Sequence, residues 1–62
     1  MRDDLVARRE KLLADAADCE LIADLAADRG KRATFRQLTR RLRELALDVD
    51  VEIARNQSKD QA

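Results

Sequence analysis

Two stripes of heptad-spaced side chains flank the chain's single glycine, Gly30, and nothing else in its 62 residues restricts the fold as much. Before Gly30, steps of three and four residues select Leu5, Arg9, Leu12, Ala16, Cys19, Ala23 and Ala26. After it, the same stepping selects Phe35, Leu38, Leu42, Leu45, Val49, Glu52 and Asn56. Each set is a coiled-coil seam with a polar interruption. Proline is absent, and the alternation from Asp48 to Ile53, strand-like at first sight, continues the helical period. The chain therefore reads as all-α.

Gly30 suits the left-handed position that follows a helix. Thr34 with Gln37 fits a capping box, and Asp3 and Asp4 suit the positive end of a helix dipole. These signals predict a helical hairpin over residues 1–56, with helix 1 at about 3–28, a turn at 29–33 and helix 2 at about 34–55. The polar tail 57–62 is expected to fray. A short connection makes the helices antiparallel neighbours, so residues whose numbers total about 61 should lie level. Ala26 then meets Phe35, Ala23 meets Leu38, Cys19 meets Leu42 and Ala16 meets Leu45, small against large at each layer. Leu12 meets Val49, and the two polar seam residues, Arg9 and Glu52, meet each other as a register-setting pair. On one flank Arg8 lies near Asp48 and Asp15 near Arg41. On the other, Val6 lies near Ile53 and Leu13 near Ala46.

A chain this short buries a thin core and usually needs a staple. One Cys and no His rule out an intrachain disulfide and leave too few ligands for a Cys/His zinc site. The staple is then oligomerisation or docking onto something larger, with a homodimer as the first expectation. Val6, Leu13, Ala46 and Ile53 form the expected dimer interface, and two hairpins stacked there make a four-helix bundle. Two i,i+4 pairs, Leu21–Leu25 and Leu47–Val51, lie outside both surfaces and suit a partner protein. Cys19 reads as an inert thiol in the seam, with an interchain disulfide or redox role as the sharper alternative.

The chain carries 13 basic and 13 acidic residues, yet Arg29 to Arg43 holds seven bases and no acid. Arg36, Arg40 and Arg43 share a face turned away from helix 1. As a solvated face they need no ligand. As a grip they would contact phosphates, against which stand the neutral net charge, the lack of stacking aromatics and the acids Asp15, Asp18, Glu20, Asp24 and Asp28 on helix 1. At the turn, acids end helix 1 and bases begin helix 2, opposing each dipole. Asp28 can relieve the second helix, and Arg29 and Lys31 the first. Without His or Tyr, and with its only Ser in the tail, the chain shows no catalytic constellation.

The segment 16–53 resembles a loose group of short alphaproteobacterial helical-hairpin hypothetical proteins. The matching elements are Ala23 to Asp28, Arg32, Leu38, Leu45 with Ala46, and Asp48 to Ile53, with a departure at Thr39 where that pattern favours Ala. The resemblance implies the hairpin and no activity, ligand or functional residue. In size and layout the plan also resembles the plasmid-copy-control RNA-binding hairpin dimer.

The expectation is a small non-catalytic interaction module acting as a hairpin homo-oligomer, with no cofactor, metal or small-molecule substrate. A nucleic-acid-binding hairpin using Arg36, Arg40 and Arg43 is the alternative, and an antitoxin-like subunit that folds on its partner is a third reading. No apolar run approaches a membrane span of roughly 20 residues. The single thiol and the absence of a signal core point to the cytoplasm.

Overall fold

The computed structural model describes residues 2–61, and side chains over residues 4–57. Two helices, α1 (Arg2–Leu25) and α2 (Arg29–Gln61), fold back on each other as an antiparallel hairpin measuring 52 × 14 × 11 Å. α2 has 33 residues against 24 in α1, so its far end runs past α1 by about 14 Å at 1.5 Å per residue. That projecting end includes the tail expected to fray, which is helical to Gln61.

The turn is shorter than the sequence suggests and lies earlier, at Ala26–Asp28. Gly30 is inside α2 and has no left-handed conformation, so it does not terminate α1. A Cβ at Gly30 would meet only the Asp28 carboxylate at ordinary contact distance. Asp28 is the cap that starts α2. Its Oδ2 accepts the Lys31 N–H at 3.2 Å, three residues on, and its carbonyl accepts the Arg32 N–H at 3.0 Å. An Asp here satisfies a donor that α2 would otherwise leave orphaned. Thr34, assigned that role from sequence, lies within α2 and donates its hydroxyl to the Gly30 carbonyl at 3.0 Å.

The opposed dipoles at the turn are relieved crosswise. Asp28 faces the start of α2, and the Arg32 guanidinium donates to the Ala26 carbonyl at the end of α1 at 2.8 Å. Arg32 takes the part expected of Arg29 and Lys31. Its place one turn into α2 lets a side chain that leans toward its own N-terminus reach back over the turn.

All seven expected seam residues of α1 are buried or half-buried. In α2 the seam is displaced by one residue at alternate positions. Phe35, Leu42, Val49 and Asn56 stay on it and Leu45 stays half-buried at its edge, but Thr39, Ala46 and Ile53 take the intervening steps while Leu38 and Glu52 turn outward. Both phases obey heptad spacing, and the choice sets how closely the helices approach. Ala16, Ala23, Thr39 and Ala46 are the fully buried side chains, with Ala23 at 0 % and Thr39 at 5 % exposure. Small therefore packs on small. Leu38 is turned outward at 43 % exposure, and Glu52 is exposed and paired with Arg55 within α2.

Thr39 shows how tight this seam is. Its hydroxyl donates to the Phe35 carbonyl at 2.9 Å, and the same oxygen comes within 3.5 Å of the Ala16 carbonyl across the hairpin. A buried hydroxyl must be satisfied, and the i−4 carbonyl of its own helix does so. Cross-helix partners total from 55 for Ala16 with Thr39 to 63 for Glu20 with Arg43, around the expected 61. The spread follows from long side chains leaning toward their own N-termini.

Candidate functional site

The hairpin has two long flanks of different chemistry. Along one, acids of α1 hold bases of α2. Glu20 pairs with Arg43, and Asp24 lies 3.6 Å from Arg36. Toward the open end the polarity reverses, with Arg9 of α1 paired to Asp50 of α2. Arg36, Arg43 and Asp50 recur at seven-residue steps, so one stripe of α2 carries the whole set. The polar seam residue Arg9 thus finds an acid across the hairpin, but that acid is Asp50. Glu52 has rotated to the opposite flank with the displaced phase of α2.

This arrangement revises the basic stretch. Arg36 and Arg43 were expected to face away from α1, leaving the charges separated by helix. Both instead reach across to α1 carboxylates. Arg40 lines the same depression as they do and, among the described residues, forms no ion pair. Asp15 and Arg41 are not joined to each other. Asp15 pairs with Lys11 at 3.5 Å and Arg41 with Glu44 at 3.6 Å, each inside its own helix.

Val6 and Leu13 lie on the Glu20 stripe of α1, so they belong to the ion-paired flank, each 37 % exposed. Their expected companions do not share that exposure. Ala46 is buried in the hairpin's own seam and offers a second copy nothing, and Ile53 is half-buried. The four-residue dimer surface read from sequence is therefore split between inside and outside. The cause is the one-residue change of phase, which carried Ala46 and Ile53 inward.

The same change carried leucines outward on the second flank. Here Leu5 and Leu12 of α1 and Leu45 and Val49 of α2 floor a groove rimmed by Arg8, Asp48 and Glu52. Leu38 lies one heptad from Leu45 on the same stripe, and Ile22 two heptads from Arg8, so the groove continues toward the turn. Both are more than a third exposed. Sequence reasoning read this flank as charged because it placed Leu38 and Leu45 inside. The signal that would have found it is the heptad set of small residues, Thr39 and Ala46, matching Ala16 and Ala23.

Leu21, Leu25, Leu47 and Val51 are exposed as expected, Leu25 most of all at 76 %. Leu47 borders the depression that Arg36, Arg40 and Arg43 line on the ion-paired flank. Cys19 is a free, half-buried thiol on the Leu5–Leu12 stripe. Among the described residues no three His, Cys, Asp or Glu side chains converge as metal ligands would, and neither helix is long and apolar enough to cross a membrane.

No family model, curated protein or solved structure matches this chain. What the fold itself defines is a small antiparallel α-hairpin with an undersized core and apolar surface on several sides.

Proposed function

We propose that the chain is a non-catalytic protein–protein interaction module that works as a helical-hairpin homo-oligomer. One contrast carries the reading. Among the described residues the buried side chains are three alanines and a threonine, while Val6, Leu13, Leu21, Ile22, Leu25, Leu38, Leu47 and Val51 are each more than a third exposed. Burying an alanine or a threonine removes little apolar surface from water, and stability scales with that area at about 25 cal/mol per Å². A core of this kind leaves a 62-residue hairpin short of the several kcal/mol that a folded domain holds. Association supplies the missing area. Leu21 and Leu25 on α1, with Leu47 and Val51 on α2, then remain for a partner protein.

The nucleic-acid reading has less behind it, because the net charge is zero and the Asp24 and Glu20 carboxylates lie against two of its three arginines, where they would repel phosphate. Sedimentation equilibrium combined with circular dichroism over a hundredfold dilution tests the proposal. A mass above the 7.1 kDa of one chain, with helicity falling as the oligomer dissociates, is expected. A fully helical 7.1 kDa species at every concentration would refute it.

A further inference from the structure

The two flanks differ in whether their charges are spent. On the Glu20–Arg43 flank, bases and acids already bridge the two helices. On the leucine groove, the flanking charges have no partner across the hairpin among the described residues. Arg8 of α1 and Asp48 of α2 border the groove on opposite sides beside Leu12 and Leu45. Two turns toward the hairpin's turn, the same stripes carry Asp15 on α1 and Arg41 on α2. Seven residues return a helix to nearly the same face. The helices run in opposite directions, so stepping forward from Arg8 and backward from Asp48 moves the same way along the molecule.

Four charges therefore frame the centre of the groove as a checkerboard. The bases Arg8 and Arg41 occupy one diagonal, and the acids Asp15 and Asp48 the other. Half a turn about either axis lying in the plane of the groove, along the helices or across them, exchanges the diagonals. A second copy laid face to face on this flank then sets acid against base at all four corners under either two-fold. An interface between identical surfaces must be self-complementary, and an apolar strip with charges at its edges is how helices select partners in bundles. We propose that the leucine groove is where a second copy of this chain docks, centred on Leu12 and Leu45 and framed by Arg8, Asp15, Arg41 and Asp48.

Nothing within the hairpin opposes this docking strongly. Asp15 is held by Lys11 and Arg41 by Glu44, pairs within single helices at 3.5 and 3.6 Å. Such exposed pairs are weak and give way to a partner's charge. Glu52 on the α2 rim adds to the acidic corner beside Asp48. The inference rests on the homo-oligomer reading and replaces the surface that Val6, Leu13, Ala46 and Ile53 were expected to form.

A mixing experiment tests it without assuming either two-fold. The full-length double variant Arg8→Glu/Arg41→Glu makes all four corners acidic. The variant Asp15→Arg/Asp48→Arg makes all four basic. Each should self-associate roughly tenfold to a hundredfold more weakly than the native chain, as several rim pairs turn repulsive. Mixed at equal concentration they should form a 1:1 heterodimer, seen by native mass spectrometry and by a gain in helicity over the average of the two. If the native chain dimerises and both variants dimerise as well as it does, the second copy docks elsewhere and only this inference falls. If both variants lose self-association and no heterodimer forms on mixing, the checkerboard is likewise overturned. A native chain that is monomeric throughout removes the homo-oligomer reading itself.

Discussion

The two flanks are built from the same heptads and do opposite things. On one, Glu20, Asp24 and Asp50 join α1 to α2 through Arg43, Arg36 and Arg9, so its polar groups are used inside the molecule. On the other, leucines floor a groove and the bordering charges stay within their own helices. The difference originates in the seam between them. Ala16, Ala23, Thr39 and Ala46 let the helices approach closely and leave no room for a large side chain. Large apolar residues are then pushed to the edges of the contact. A hairpin that closes on small residues leaves large apolar side chains at the edges of the contact: Leu38 and Ile22 are exposed on the groove flank, Val6 and Leu13 on the ion-paired flank.

Breaking the seam should have the largest effect. Ala23→Leu places three further carbons where the native side chain has 0 % exposure. Overpacking of that kind costs about 1–3 kcal/mol, and prising the helices apart would also strain the Asp24–Arg36 and Glu20–Arg43 pairs beside it. Urea denaturation at fixed protein concentration should show a midpoint lowered by that amount. An unchanged midpoint would mean that Ala23 does not lie at a close helix contact.

The ion-paired flank should matter much less. Glu20 and Arg43 are about half exposed, 53 % and 54 % by side chain. A double-mutant cycle on Glu20→Gln and Arg43→Gln should give a coupling of about 0.5 kcal/mol at low salt. It should fade toward zero in 1 M salt, where the screening length is about 3 Å. A coupling above about 2 kcal/mol that persists in high salt would make this flank, and not the seam, the element that fixes the hairpin.

The hairpin and the α1 seam were legible from spacing alone, but the layers of Ala23 with Leu38 and Arg9 with Glu52 do not form, since Leu38 and Glu52 are exposed and Arg9 pairs with Asp50. The α2 seam was legible only in half its positions. Phe35, Leu42, Val49 and Asn56 belong to both possible phases. Between them the sequence offers Leu38, Leu45 and Glu52 or Thr39, Ala46 and Ile53, and the expectation that a leucine goes inside selects the first set. That rule holds when a helix partner leaves space. It fails here because α1 presents Ala16 and Ala23, and the gain from close approach outweighs burying Leu38 within a single chain, while Leu45 stays half-buried. From that one choice follow the outward leucines, the inward Ala46 and the loss of Glu52 as partner to Arg9. The turn was misread for a different reason. Gly30 drew the end of α1 to itself, while the better cap, Asp28, sat two residues earlier.

The seam is also what a solution measurement reaches most directly. In a nuclear Overhauser spectrum filtered to select contacts within one labelled chain, diluted into unlabelled chain, the Thr39 methyl should show cross-peaks to the Ala16 and Ala23 methyls. The Leu38 methyls should show none to either alanine. Strong intrachain peaks from Leu38 to Ala23, with Thr39 silent, would mean that the hairpin closes on its leucines, and the groove and its framing charges would then have to be reassigned.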